Sequence, residues 1–270
     1  MIEDIRSYYN EKSKNYDNTF DKLYYKVYDA VIWKYLEPHV PTSSNALVLD
    51  VGGGTGRWSI RMAEKGCKVV LLDASKGMLE IATAKVKQKG FQDRIIVKEG
   101  EITKMAYADE TFDMAFCEHT LFLFREPDIL LRELQRVLKK KARLLISAQN
   151  LYVQCLVSLS ENPKHTNVDD ALKILLRKKY NTMTKEGIIK IHTWTPDEFQ
   201  AMLNRNGFFV EKIVGNGITM PLRISQDTFM KNNYSTELLK KILEFEFAIC
   251  EKPDALALAG HLLAITYKKS

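Results

Sequence analysis

The sequence predicts an α/β fold, a doubly wound, mostly parallel, seven-stranded sheet with helices on both faces. Three observations carry this. Short apolar runs at Ala46–Val51, Cys67–Asp73, Arg94–Lys98, Phe112–Glu118 and Arg143–Ala148, then Phe208–Val214 and Gly260–Tyr267, have the length and composition of strands. Helical patterns separate the earlier runs, at Arg57–Lys65, Lys76–Lys89 and Asp128–Lys139, which is the rhythm of a parallel sheet covered on both sides. Glycine is sparse, 13 in 270 residues against a usual ~7%, yet four glycines fall at positions 52, 53, 54 and 56, directly after the first strand.

Taken in order, residues 20–37 read as a helix with an aromatic and aliphatic stripe, ended by Pro38 and Pro41. The alternation of strand and helix begins at Ala46 and stops after Gln149. Residues 151–194 look helical and mixed, with no strand of quality. Alternation resumes at Thr195-Pro196-Asp197-Glu198, a capping box with proline in the first turn, and that helix ends at the Asn206-Gly207 cap. Residues 216–259 interrupt the pattern again, with a helix expected at Ser235–Ile249. The expected organisation is an N-terminal helical cap over 1–45 and one sheet domain over 46–270, with helical lid inserts at 151–194 and 216–259. A length prior of about 1.8 domains at roughly 150 residues each agrees with that.

Composition excludes several classes. With 46% hydrophobic and 27% charged residues the chain is neither disordered nor fibrous, and its longest uncharged run, 144–160, is too polar for a membrane span. The four cysteines contain no Cys-x-x-Cys pair, so no metal site is expected. No basic-then-apolar leader stands at the N-terminus, so a cytoplasmic protein with reduced thiols is expected. The net charge of +6 is mild, and its only dense runs are Lys139-Lys140-Lys141 and Arg177-Lys178-Lys179, which read first as solvated helix ends.

The glycine run narrows the chemistry. Gly52-Gly53-Gly54-Thr55-Gly56 joins a strand to a helix, where backbone N–H groups can approach a ligand closely. It does not match G-x-G-x-x-G, and it carries no Walker lysine, so phosphate is a poor fit. An acid just before the turn, Asp50, suits a ligand bearing an ammonium group. A second acid at the tip of the next strand, Asp73, can take both hydroxyls of a ribose.

Five stretches in order, LDVGGGTG, VVLLDASKGML, KEGEITKMAYADETFDMAFCEHTLFLF, LLRELQRVLKKKARLLISAQN and WTPDEFQAMLNRNGFFVEKIVG, resemble class I S-adenosylmethionine-dependent methyltransferases over nearly the whole chain. The likeness is to the small-molecule branch typified by menaquinone and ubiquinone methyltransferases. It implies a Rossmann-like methyltransferase fold, S-adenosylmethionine as cofactor and methyl transfer as activity. Gly52, Gly53, Gly54 and Gly56 would let the backbone pass the methionine part, with Asp50 orienting the amino group. Asp73 would hold the ribose, with Ala74 beside it, and Met78 would pack on the adenine. Glu101, where the family usually has Asp, would accept from the adenine amino group, and the Ile102 amide would meet a ring nitrogen. Cys117 and Glu118 would lie beside the methionine moiety, and Tyr9 and Tyr16 could close over the cofactor. Lys140-Lys141-Ala142 stands where the family has a Gly-Gly turn.

The acceptor is expected to be a small molecule. His119, in the loop after the fourth strand, is the candidate general base, with an imidazole pKa near ~6.5; His192 and His261 are weaker candidates, and His261 reads as a satisfied core histidine. Aromatics and methionines of the inserts (Tyr152, Tyr180 and Trp194; Met220, Phe229, Met230 and Tyr234) suit a partly apolar acceptor. Glu118-His119-Thr120-Leu121 lacks the Asn/Asp-Pro-Pro-aromatic pattern that serves flipped bases, which argues against nucleic acid. An RNA or protein acceptor reached through Arg177-Lys178-Lys179 is the alternative, and a non-catalytic S-adenosylmethionine-binding protein or a nicotinamide oxidoreductase is a further one. Oligomeric state is open, a homodimer being one option.

Overall fold

The computed structural model describes residues 2–160, 168–184, 187–219 and 234–269. Two helices, α1 (Ile2–Tyr16) and α2 (Leu23–Leu36), precede the sheet. The alternating part follows as β1 (Leu47–Val51), α3 (Arg57–Ala63), β2 (Lys68–Asp73), α4 (Lys76–Lys89), β3 (Ile95–Glu99), β4 (Phe112–Cys117), α5 (Pro127–Val137) and β5 (Leu138–Gln149). An insert of α6 (Leu151–Ser160), α7 (Val168–Arg177), β6 (Lys179–Thr184) and β7 (Gly187–His192) comes next. The chain closes with α8 (Pro196–Arg205), β8 (Phe208–Asn216), α9 (Thr236–Ile249), α10 (Pro253–Leu256) and β9 (His261–Lys268).

Seven strands form one sheet in the order β3-β2-β1-β4-β5-β9-β8. β1 to β5 run parallel, and β9 is antiparallel to both β5 and β8. The expected fold class is the one observed. The chain winds outward from β1 to β3, then crosses back to β4, so the strand order reverses between β1 and β4. A crevice opens at the carboxyl ends there, where doubly wound sheets bind ligands.

Strand alternation sorts the core into two layers. Val48, Val69, Leu71, Met114 and Phe116 pack with α2 and α3 on one face. Leu49, Val51, Val70, Ala115 and Cys117 pack with α5 and α8 on the other. The same period of two decides which strand-end polar groups reach the crevice. Asp50 lies between Leu49 and Val51 in β1 and so faces α3, where it accepts from Ser59 Oγ at 2.6 Å.

Two expectations need correction. The insert over 151–194 is not wholly helical: β6 and β7 pair antiparallel, Lys179 opposite His192 through Thr184 opposite Gly187, and form their own two-stranded sheet. Ile189 and Ile191 are buried while Ile188 and Lys190 are exposed, a period of two within six residues. The helix expected to reach Lys139 ends at Val137, because Leu138 already pairs with Phe112 as β5 begins. Lys141, in the Lys140-Lys141-Ala142 stretch that stands where the resembled family has Gly-Gly, adopts φ +60, so lysine occupies the left-handed backbone that glycine would fill. In the second insert, Met220, Phe229 and Met230 lie outside the described residues, and Tyr234 directly precedes Ser235, the N-cap of α9.

Glu246 anchors α9 to the sheet. Its side chain is fully buried and accepts from the Thr219 amide (2.8 Å), the Thr219 hydroxyl (2.6 Å) and the Ile218 amide (3.2 Å). Both carboxylate oxygens are therefore engaged by the turn that follows β8. Glu246→Gln turns one acceptor oxygen into a donor facing a donor, and should lower stability by about 1–3 kcal/mol. Urea unfolding of the two proteins checks this; an unchanged midpoint would show that the contact carries no stability.

Candidate functional site

The ends of β1, β2 and β4 converge on one cavity beneath α1. Backbone hydrogen bonds from Gly52 and Gly53 to the Leu72 carbonyl, at 2.8 and 3.3 Å, fold the glycine turn back across β2. Gly52 has φ +69, and a Cβ there would collide with the Thr120 hydroxyl, so only glycine lets β1 and the loop after β4 approach this closely. Gly52, Gly53 and Gly54 line the cavity. Gly56 does not. It is the N-cap of α3 and packs against Leu71 and Ala82, so its part in the site is structural.

Asp73 ends β2 at the cavity wall. One carboxylate oxygen accepts from the Gly54 amide (2.9 Å) and the other from the Ser75 amide (2.8 Å). Burial pushes its pKa up, and these amides with that of Ala74 pull it back. The amides hold the carboxylate in place and leave each oxygen a lone pair for a hydroxyl donor. Ala74 and the buried Met78 stand beside it, and Glu101 and Ile102 line the same cavity. Glu101 is exposed and lies 3.8 Å from Arg6 of α1.

Glu118 and His119 follow β4. Glu118 is buried and accepts from the Tyr28 hydroxyl at 2.9 Å. Burial raises its pKa, against the pull of Arg57, Tyr28 and Trp58. His119 has φ +52, donates its amide to Ser147 Oγ (3.0 Å), and brings Nε2 to 3.1 Å from a Glu118 oxygen. Its pKa is not near neutrality as expected. Burial, with help from Arg57 and Lys12, lowers it to about 3, so the imidazole is neutral. Cys117 was expected beside the ligand, but it is fully buried on the opposite face of β4, in the layer with α5. The period of two that turns Glu118 toward the cavity turns Cys117 away.

Asp50 lines the cavity behind the glycine turn. Burial raises its pKa to about 7, with Ser59 opposing and the charges of Glu118 and Asp73 adding to the rise. His261 is buried with its ring 4.7 Å from that of His119, but its Nδ1 has no hydrogen-bond partner among the described residues, unlike the satisfied core histidine expected. His192 lies on β7 and does not line this cavity.

The N-terminal segment forms the cavity's cover. Tyr9, Tyr16 and Phe20 line it, and burial raises the pKa of both phenols so that they stay protonated. Asn10 accepts from Ser75 Oγ (2.7 Å) and the Gly77 amide (3.0 Å), and Asp17 accepts from Thr55 Oγ1 (2.7 Å). Sequence reasoning missed Arg57. Its guanidinium stacks 3.7 Å from the Phe20 ring centroid and pairs with Asp29 of α2, and it lines the cavity. A signal was present, since a cation in the first turn of a helix opposes the helix dipole and is there for another reason.

Among the described residues no cluster of three metal-ligating side chains occurs, and no helix is long and apolar enough to cross a membrane.

Comparison with known proteins agrees with this geometry. Residues 42–207 match a family described as a methyltransferase domain. A demethylmenaquinone methyltransferase of Lactiplantibacillus plantarum is 37% identical over 106 residues, 38% of this chain and 45% of that protein. The chain thus spans under half the length of this relative. A tRNA 5-carboxymethoxyuridine methyltransferase of Escherichia coli is 22% identical over 96% of this chain and 97% of its own. The crystal structure of an S-adenosylmethionine-dependent methyltransferase from Mesorhizobium loti superposes with TM-score 0.61 at 18% identity, over 87% of this chain and 97% of that one. With more than half its length matched, and with this sheet order, the chain belongs to the methyltransferase-domain family, as a class I S-adenosylmethionine-dependent member.

Proposed function

We propose that the chain transfers the methyl group of S-adenosylmethionine to a small-molecule acceptor in the cytoplasm. The observation that carries the reading is the arrangement of Asp73, held by two backbone amides, on the same cavity as Asp50, Glu118 and the glycine turn. The residues fit the cofactor. Gly54 has φ +53, and the nearest atom to a Cβ built there is Tyr16 Cε1 at 4.0 Å, so a side chain would fill the cradle that the amino-acid part requires. Three buried carboxylates suit a ligand with ammonium and sulfonium charges. Four free cysteines support the cytoplasm.

S-Adenosylmethionine supplies an electrophilic methyl group on a sulfonium, so the protein's share is proximity, orientation and exclusion of water. Asp73 would hold the ribose hydroxyls and Met78 would pack on the adenine. Glu101 and the Ile102 amide would meet the adenine edge. Tyr9, Tyr16 and Phe20 keep water from the reacting centre. His119, neutral and beside Glu118, hydrogen-bonds the acceptor and aligns it, and the Glu118 carboxylate can take a proton where the acceptor has one to lose.

The E. coli tRNA methyltransferase, alike over its full length, favours RNA as a second reading of the acceptor. Retention on tRNA at rising salt separates the two, since a polynucleotide partner shows a steep slope.

Three outcomes test the reading. Calorimetry should show binding of S-adenosylmethionine and not of NAD, and Asp73→Ala should weaken it by about 2 kcal/mol or more, because a ribose edge is left unpaired. Equal affinity in that variant would remove Asp73 from the site. Asp50 is protonated below about pH 7 in the free protein, and a bound cation favours its ionised form. Affinity should therefore rise from pH 6 to pH 7.5, and Asp50→Asn should flatten that rise; a flat wild-type profile sinks the assignment. His119→Ala should abolish transfer while leaving cofactor affinity intact, and the wild-type rate should show no imidazole inflection between about pH 5 and 8.

A further inference from the structure

A second cavity, ≈ 470 Å³, opens between α1, the loop after β4 and the β6/β7 hairpin. It shares two wall residues, Ile5 of α1 and Leu123, with the cavity described above, so the two adjoin. The rest of its wall divides by chemistry. Ile188 and Ile189 are apolar, whereas Arg125, Lys179, Lys190 and His192 are basic. No carboxylate lines it among the described residues.

The hairpin register concentrates this charge. Lys179 pairs directly opposite His192, and Lys190 lies two residues before His192, on the same face of β7. Like charges directly opposite each other on a two-stranded ribbon destabilise it. The His192 imidazole responds: burial lowers its pKa first, and the charges of Lys179, Lys190 and Arg125 lower it further. Three cations therefore converge on one neutral ring. Of the basic run Arg177-Lys178-Lys179, only Lys179 reaches the cavity, since Lys178 is paired with Glu198 of α8.

We propose that this cavity receives an anionic group of the methyl acceptor, a carboxylate or a phosphate, whose apolar portion runs past Ile5 and Leu123 toward the transfer site. The inference rests on the methyltransferase reading and gives its acceptor a class, an amphipathic anion. The cations surround a concavity with an isoleucine wall. A polynucleotide would call for a stripe that tracks successive phosphates.

The test uses the full chain loaded with S-adenosylhomocysteine, and calorimetry with octyl phosphate, octanoate, 1-octanol, inorganic phosphate and a single-stranded RNA oligonucleotide. Octyl phosphate or octanoate should bind, whichever headgroup the site takes, and 1-octanol and inorganic phosphate should each bind about tenfold more weakly or worse. Arg125→Gln with Lys190→Gln should weaken the preferred amphiphile about tenfold without changing S-adenosylhomocysteine affinity, and Lys190→Arg should retain it. Equal binding of 1-octanol, or full affinity in the double variant, overturns the proposal while leaving methyl transfer intact. RNA binding that depends on Arg125 and Lys190, with no amphiphile binding, overturns it in favour of a polynucleotide. Failure of S-adenosylhomocysteine to bind overturns both this proposal and the reading beneath it.

Discussion

Three carboxylates, Asp50, Asp73 and Glu118, stand at the ends of adjacent parallel strands and face one cavity. Burial disfavours the charge on each of them, and Glu118 and Asp73 make ionisation of Asp50 harder still. Much of the surrounding structure answers this constraint. Backbone amides of the glycine turn and of the first turn of α4 hold Asp73, and Ser59 of α3 holds Asp50. Glu118 has Tyr28 of α2, with Arg57 as the nearby counter-charge. A site with more buried negative than positive charge is arranged in advance for a cation, and it costs the free protein stability until one arrives.

The same polar contacts tie the N-terminal helices to the sheet. α1 is joined through Asn10 to Ser75 and Gly77, the segment after it through Asp17 to Thr55, and α2 through Asp29 to Arg57 and through Tyr28 to Glu118. Aromatic rings fill the space between these contacts, from Tyr8 and Tyr9 through Tyr16 and Phe20 to Tyr25 and Tyr24 in successive edge-to-face pairs. α1 is therefore a cover whose anchoring points are residues of the turns that line the cavity. The position of α1 and the conformation of those turns rest on the same hydrogen bonds.

The sheet was legible in the sequence because its strands are continuous apolar runs and its helices carry strong ends, such as the Thr195 capping box, which forms as expected. The glycine turn was legible because left-handed backbone and close approach leave few alternatives to glycine. Cys117 and Gly56 were assigned to the cavity from motif position alone. Strand alternation and helix packing decided otherwise, and both are properties of three-dimensional neighbours. His119 lines the cavity from the loop after β4, as its place after the fourth strand implied, but its neutrality comes from burial beneath α1 and from Arg57, which arrive from distant sequence. The β6/β7 hairpin was missed because its isoleucines alternate within only six residues and are interleaved with lysine, a short signal beside two helices.

What remains variable in this architecture is confined by what is committed. The carboxyl ends of β1, β2 and β4 carry Asp50, Asp73 and Glu118, which line the cavity and cannot be exchanged without disturbing the charge balance there. β5 continues through Asn150 into α6, and the Asn150 amide side chain is held by the Leu256 carbonyl near α10. α1, the loop after β4 and the β6/β7 hairpin lie beside those groups. Their contact is direct: Phe122 and Leu123 cluster with Ile189 and Ile191 of the hairpin, with Ile5, Tyr8 and Tyr9 of α1 packed alongside. A change in the hairpin thus reaches Tyr9 directly and His119 through Phe122, whose ring lies 5.8 Å from the imidazole.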